Sequence, residues 1–288
     1  AGVNVVAMID SRPDAKISGN FPVLTGAEVI DTFGRKGLRE ILVRHQGAER
    51  RFKVDCLAVS GGWNPSLHLS NHLGARPVWN DTISAFVADP NAVAGMHIAG
   101  AAAGVFSTKG AMKSGLFRTK LALKALGMTA GSTPLPKSDD APYSLAPIWE
   151  VAGKGRAWLD FQNDVTTKDV RQAATENFRS VEHMKRYTTQ GMATDQGKNS
   201  NVNALAILAD ATGQTVPQTG TTTFRPPFSP VSIAAMGAGG HAKGFAPERF
   251  MTSHQATVER AAPMIEAGLW YRPSLFPRPG EMTWRQSC

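Results

Sequence analysis

Hydroxyls, glycines and cations concentrate in two stretches of the chain, Arg186–Asn201 (RYTTQGMATDQGKNSN) and Gly220–Phe228 (GTTTFRPPF). In the first, Thr188 and Thr189 follow the amphipathic run Val181–Tyr187, and Lys198 sits beside Gly197. Gly191 and Gly197 permit backbone turns that a side chain would obstruct. The second stretch offers Thr221, Thr222, Thr223 and Arg225. Exposed backbone N–H groups, hydroxyls and a cation are what a phosphate requires. Spacing alone favours a pair of capped turns. The company these turns keep along the chain favours the phosphate.

Other residues could serve a nucleotide. Val3–Ile9 is a run rich in β-branched residues that ends in Asp10, and in a nucleotide-binding βαβ unit an acid at a strand end accepts hydrogen bonds from a ribose diol. The Gly-rich turn that should precede such an acid is not in this sequence, and an ordinary strand-end Asp beginning a turn has the same pattern. The apolar segment Val54–Val59 empties into Ser60, Gly61, Gly62 and Trp63, followed by Asn64 and Pro65. Paired glycines at the carboxyl end of a buried strand let a backbone approach a ligand closely. Met96–Ala99 reads as a second buried strand, emptying into Gly100 and a run of small residues. Lys109 and Lys113 flank that turn; they could meet a pyrophosphate or form a solvated helix face. His68 and His72 have the spacing of a helical metal pair but lack a third ligand nearby.

The elements that must position these residues follow from periodicity. Ala27–Ile30, Leu38–His45 and Arg51–Lys53 alternate with period 2 between glycine turns and predict an antiparallel meander. A helix is expected over Lys109–Leu126, and residues 127–156, rich in Pro, Gly, Ser and Ala, read as a linker. Residues 157–216 predict a small helical domain. It contains a strand at Ala157–Phe161, a helix capped by Thr166 with Asp169, a helix capped by Ser180, and a third helix from Asn201. Val170, Ala173, Ala174, Val181, Met184, Leu205, Ile207 and Leu208 are its expected core. After Pro217 the period is lost. One helix is expected at His254–Glu266, then an aromatic strand with Trp270, Tyr271 and Phe276.

Composition narrows the partners. The 288 residues carry 31 Lys and Arg against 23 Asp and Glu, a net charge of +8. That surplus suits anionic partners such as dinucleotides, polyglutamates or an acidic protein partner. Basic and acidic residues alternate (GRKGLREILVRHQGAERRFK), which argues against a nucleic-acid stripe. No apolar run approaches the roughly 18–20 residues of a membrane span. The two cysteines, Cys56 and Cys288, make neither a disulfide framework nor a metal cluster, and a reducing, cytoplasmic setting is expected. The chain opens inside an apolar β pattern and ends in GEMTWRQSC without a helix cap, so an internal piece of a longer polypeptide is expected.

The order strand, meander, strand, GGWNP, then a strand with a Gly/Ala turn and a helix resembles the C-terminal half of a two-dinucleotide flavoprotein of the pyridine-nucleotide reductase type. That implies an α/β fold of the FAD/NAD(P)-binding class over residues 1–126. In such proteins the last motif carries Gly-Asp, whose Asp holds the flavin ribityl phosphate; here it reads Gly100-Ala101. Residues 157–216 resemble the small ferredoxin-like module that holds a two-iron cluster in amine-oxidising flavoproteins. The cysteine neighbourhoods read DFQND (160–164) and TDQGKNS (194–200), without cysteine.

The blocks DCLAVSGGWNPSLHL, HLGARPVWN, AGAAAGVFSTKGA, DFQNDVTTKDV, SVEHMKRYTTQGMATDQGKNSNVNALAI, GTTTFRPPFSPV and EAGLWYRPSLFP resemble, in order and wording, the family of heterotetrameric sarcosine oxidase alpha subunits. The resemblance implies an oxidoreductase that demethylates sarcosine with formation of peroxide and one-carbon transfer to tetrahydrofolate. It implies beta, gamma and delta partner subunits, FAD and the amine substrate on a partner, FMN at the alpha–beta interface, and NAD in the alpha chain. Residues 217–288 would be a connector and the opening of a folate-binding, aminomethyltransferase-like domain. Asp10 and Ser60–Trp63 are then candidates for NAD contacts, with Gly100 at the second turn. Thr188–Gly191 and Thr221–Arg225 are candidates for FMN. No residue here reads as a catalytic base. The alternatives are a non-catalytic scaffold and a component of a proline, hydroxyproline or opine dehydrogenase.

Overall fold

Short alternating segments joined by short glycine-containing connections pair with their sequence neighbours, because so short a connection leaves only antiparallel pairing within reach. The computed structural model describes residues 2–138, 140, 143–237 and 247–281. In it, Met8–Asp10 (β1) lies parallel to Val23–Thr25 (β2). Ala27–Phe33 (β3), Glu40–His45 (β4) and Ala48–Lys53 (β5) then form the expected meander in the order β3–β4–β5. Gln46 and Gly47, both at positive φ (51° and 77°), make the β4–β5 turn, as a primed hairpin turn requires. Leu24, Ala27, Ile41 and Val43 are buried on its inner face, with Ile9, Val29 and Phe52 packed against them.

Three expected strands are absent or shorter. Among the described residues, 3–7, 54–59 and 96–99 join no sheet, and of the run Val3–Ile9 only Met8 and Ile9 are strand, together with Asp10. Val3, Val5 and Val59 are exposed. An apolar β-branched run becomes a strand only where another strand meets its hydrogen bonds, and β1 has β2 on one side alone.

His68–His72 (α1) follows Pro65, and Val78–Asn80 (β6) pairs antiparallel with Ala85–Val87 (β7). Gly100–Ala103 is one 3₁₀ turn. Thr108–Ala125 (α2) starts at Ser107, whose hydroxyl accepts the Gly110 N–H at 3.1 Å, so the expected helix begins one residue early. Residues 127–156, where described, carry no helix or strand.

The helical part is built as its caps foretold. Trp158–Asp160 (β8) pairs with Val165–Thr166 (β9), and Thr167–Thr175 (α3) follows directly. The Thr166 N–H and hydroxyl both donate to the Asp169 carboxylate, at 2.8 and 2.6 Å. Ser180 caps Val181–Thr188 (α4) by accepting the His183 N–H at 3.3 Å. Asn201–Thr212 (α5) and the short Val216–Thr219 (α6) complete the group. Val170, Ala173, Met184, Ala204, Leu205 and Leu208 are fully buried in one cluster with Leu159, Val165 and Phe224. Each large apolar side chain buried this way contributes about 1.5–3 kcal/mol.

Residues 1–229 make one compact unit and 230–288 a second. The second contains Ile233–Met236 (α7), Arg249–Phe250 (β10), His254–Glu259 (α8), Met264–Ala267 (β11) and Trp270–Pro273 (β12). Its strands run β10–β12–β11, with β12 parallel to β10 and antiparallel to β11. The helix expected over His254–Glu266 stops at Glu259, and 264–267 is strand instead. Ala261 takes a left-handed φ of 56° and Pro263 has no N–H to continue a helix. Trp270 and Tyr271 lie in β12 as expected, whereas Phe276 falls beyond it, beneath the Arg260 guanidinium at 4.0 Å. Among the described residues no helix is long and apolar enough to cross a membrane.

Candidate functional site

One cleft of 2060 Å³ gathers five of the candidate nucleotide contacts and Lys198. Asp10, at the carboxyl end of β1, lines it together with Ser60, Gly61, Gly62 and Trp63. The end of β5 and the coil 54–66 supply one wall, residues 143–149 another, and Lys198 with Asn199 reaches the same space. A Cβ on Gly61 would meet nothing within 4 Å, so its backbone is open to a ligand. Gly62 has φ 87°, where only glycine sits without strain, and a Cβ there would press within 3.1 Å of the Tyr143 hydroxyl. That hydroxyl also accepts the Trp63 N–H at 3.2 Å, fixing the turn while the indole stays exposed.

Asp10 is engaged from one side. Arg12 donates Nε to Oδ1 at 2.9 Å and Nη2 to Oδ2 at 2.7 Å, and its own N–H also reaches Oδ1 at 2.9 Å. Arg12 Nη1 reaches the Ser144 carbonyl at 3.2 Å and so ties the linker to the strand end. The Arg12 hydrogen bonds hold the Asp10 carboxyl below its ordinary value, and Arg12 is raised in return. A carboxylate offers about four acceptor positions. The one that Arg12 leaves free, on Oδ2, is what a ribose hydroxyl would use.

The two hydroxyl-rich stretches lie against each other. Asn201 Nδ2 donates to Thr221 Oγ1 at 3.2 Å, the Thr223 N–H to Glu182 Oε1 at 2.8 Å, and Lys198 Nζ to the Phe228 carbonyl at 2.7 Å. Gln196 grips the second stretch from both ends of its amide. Oε1 accepts the Arg225 N–H at 2.7 Å, and Nε2 donates to the carbonyls of Arg225 and Pro227.

Much of the expected phosphate cradle is therefore spent inside the chain. Thr188 Oγ1 donates to the Met184 carbonyl and accepts the Gln190 N–H. The Gly191 N–H donates to Asp160, and Lys198 is turned to Phe228. Thr222 is buried. Thr189, Lys198, Thr223 and Arg225 are the exposed members, Lys198 with its Nζ on the Phe228 carbonyl. Thr189 has a left-handed φ of 64°, unusual for a β-branched residue. Gly100 (φ 61°) stands outside the cleft lining, with its N–H on Ser114 Oγ at 3.3 Å.

Asp160 is the residue that the spacing did not single out. Only 5% exposed, it accepts N–H groups of Gln162 at 2.9 Å, Asn163 at 3.2 Å and Gly191 at 2.8 Å, together with Asn163 Nδ2 at 3.1 Å. Burial by itself would raise its pKa. The donors overcome this and leave the carboxyl below its ordinary value. The nest of amides thus already holds an anion of its own. Asp140 plays the same part at the start of α2, accepting N–H groups of Thr108 and Lys109.

His68 and His72 face aromatic rings. His68, 3% exposed, lies 4.4 Å from the Phe224 ring and stacks 4.9 Å from Phe228, which is 5.8 Å from His72. Burial first, then Lys198 and His72, lowers the His68 pKa to about 4, so its ring is neutral near pH 7.

Residues 154–240 match the sarcosine oxidase A3 domain model. The chain is 42% identical to the alpha subunit of sarcosine oxidase from Rhizobium meliloti (strain 1021), over all of this chain and 30% of that protein. It is 34% identical to the sarcosine oxidase alpha subunit of Corynebacterium sp. (strain P-1), over 98% of this chain and 31% of that one. An opine oxidase polypeptide of Rhizobium meliloti (strain 1021) is more distant, at 23% over 67% of this chain and 46% of that one. In fold, the chain is similar to L-proline dehydrogenase from P. horikoshii, with a TM-score of 0.54 at 16% identity, over 74% of this chain and 44% of that one. The chain spans about a third of the length of the sarcosine oxidase subunits it matches.

Proposed function

We propose that this chain, a relative of sarcosine oxidase alpha subunits along its whole length, forms part of one and works in the oxidative demethylation of sarcosine to glycine. On this reading electrons pass to oxygen as peroxide and the methyl carbon passes to tetrahydrofolate. The amine is oxidised on a partner subunit carrying FAD, and beta, gamma and delta subunits complete the assembly. The folate site lies mostly outside these residues. The flavins, when bound, supply the electron acceptance that the oxidation needs.

This chain's own residues bind and orient. The observation that carries the reading is that Asp10 and the Ser60–Trp63 turn share one cleft in a chain whose whole length aligns with 30% of such a subunit. The remaining acceptor position of Asp10 and the open backbone at Gly61 fit the ribose and phosphates of NAD. The Gly191 turn does not fit as a phosphate cradle, because Asp160 fills it. The exposed Thr189, Thr223 and Arg225 fit FMN better, as hydroxyl and guanidinium donors at an alpha–beta interface.

The test is the nucleotide content of the full-length polypeptide, purified with its neighbouring operon subunits and denatured for mass analysis. NAD together with FMN and FAD, followed by sarcosine-dependent peroxide formation, is the expected result. FAD alone would make this an ordinary two-dinucleotide flavoprotein, and no nucleotide at all would leave a scaffold.

A further inference from the structure

The outer face of α2 carries lysines that no ion pair within the described residues neutralises; the Asp140 carboxylate at its start accepts only the backbone N–H groups of Thr108 and Lys109. The helix holds Lys109, Lys113, Arg118, Lys120 and Lys124 and no Asp or Glu. At 100° per residue Lys109, Lys113, Phe117, Lys120, Leu121 and Lys124 fall within an arc of roughly 120°. All six are exposed, Phe117 by 56% and Leu121 by 37%. The helix meets the Gly100–Ala103 turn on another face, through Ser114 and Ala111. Among the described residues, none of the four lysines is in an ion pair.

This arrangement costs the isolated helix stability. Lys109 with Lys113 and Lys120 with Lys124 are like-charge pairs at i,i+4, each unfavourable by a few tenths of a kcal/mol. No residue of α2 is fully buried; its packing comes from half-buried side chains such as Met112, Leu116 and Leu123, and the lysine stripe lies outside it. Four cations around two apolar side chains match an acidic surface with a small apolar centre.

Resting on the functional reading above, we infer that this face of α2 docks an acidic surface of a partner subunit. Charge disfavours a second copy of this chain, since the chain itself carries +8. A lipid surface is disfavoured by the stripe's two apolar residues, too few to insert.

The experiment uses the full-length polypeptide with its neighbouring subunits. Lys113→Glu/Lys120→Glu is compared with Lys16→Glu/Lys36→Glu, which changes the net charge equally at sites elsewhere in the chain. Affinity between subunits is measured by analytical ultracentrifugation across salt concentrations, and helix content by circular dichroism. The stripe variant is expected to weaken association at least tenfold at low salt, with the control unchanged and the difference shrinking as salt rises. Lys113→Gln/Lys120→Gln should fall between, and it stands in should the reversal unfold α2. Equal effects in stripe and control variants, or none in either, overturn the inference while leaving the enzyme reading intact. Flotation of the wild-type chain with anionic phosphatidylserine vesicles, lost in the stripe variant, also overturns it in favour of a membrane. Failure of the wild-type chain to join any other subunit defeats the reading itself.

Discussion

The Asp160 carboxylate accepts the Gly191 amide at 2.8 Å across 31 residues of sequence, joining the β8–β9 turn to the turn after α4. Two loops far apart in sequence are thereby fixed to one buried charge. Asp160→Ala should destabilise the chain by about 1–3 kcal/mol, because it leaves buried amides without an acceptor. Its pKa is lowered in the folded state. The unfolded chain therefore binds the proton first, and this contribution is complete above the ordinary carboxylate range near 4 and lost as pH falls through the folded value. Urea unfolding from pH 7 to pH 3 should show wild type losing stability at the acid end. Asp160→Asn should start lower and lose less. Parallel acid limbs would refute the assignment.

Gln196 makes the second joint. Its amide accepts from the Arg225 N–H and donates to two carbonyls of the facing segment. Gln196→Ala should cost about 1 kcal/mol, since these bonds are only partly shielded from water. The loss should be local, with hydrogen exchange at the Arg225 amide speeding up about fivefold and the α5 amides unchanged. Uniform loss of protection across α3 to α5 would mean that Gln196 supports the whole helical unit.

What the sequence disclosed and what it hid divide along sequence distance. The caps at Thr166 and Ser180, the hairpin at Gln46–Gly47 and the start of α5 at Asn201 are local, and each formed where its residues stand. The apolar runs 54–59 and 96–99 look like strands because composition reports burial preference and not the presence of a pairing strand. Asp160 is visible inside DFQND, but its partner Gly191 lies 31 residues on, and no periodicity connects them. Likewise the two hydroxyl-rich stretches are legible as turns, whereas their engagement with each other is not. The helix end at Glu259 is different. Pro263 stands in the sequence as a stop, yet the apolar spacing runs past it to Glu266 and masks it.

On the proposed reading, Asp10 and Arg12 together would set which dinucleotide the cleft accepts. The carboxylate would face a ribose 2′-hydroxyl, and a 2′-phosphate would meet its negative charge. Asp10→Ala frees the Arg12 guanidinium, held now at 2.7 and 2.9 Å. In the full-length chain stripped of nucleotide, this variant should lose at least tenfold in NAD affinity and gain measurable NADP affinity by calorimetry. Arg12→Ala in the same background should abolish the gain. If Asp10→Ala leaves NAD binding unaltered, the ribose lies elsewhere.

Thr189 ends α4 with φ at 64°, where a β-branched residue is strained and glycine is not. Its hydroxyl donates to the Thr188 carbonyl, a contact too local to require this backbone. Thr189→Gly should therefore stabilise the chain by about 1 kcal/mol, the reverse of the usual effect of glycine on a helix. Strain of this size persists where a side chain has another task. In the assembled enzyme, the same variant should retain less FMN per complex than wild type when measured after dialysis. Stabilisation with full FMN retention would make Thr189 an ordinary strained helix end and move the FMN contacts to Thr223 and Arg225. Destabilisation would show that the hydroxyl matters to the fold itself.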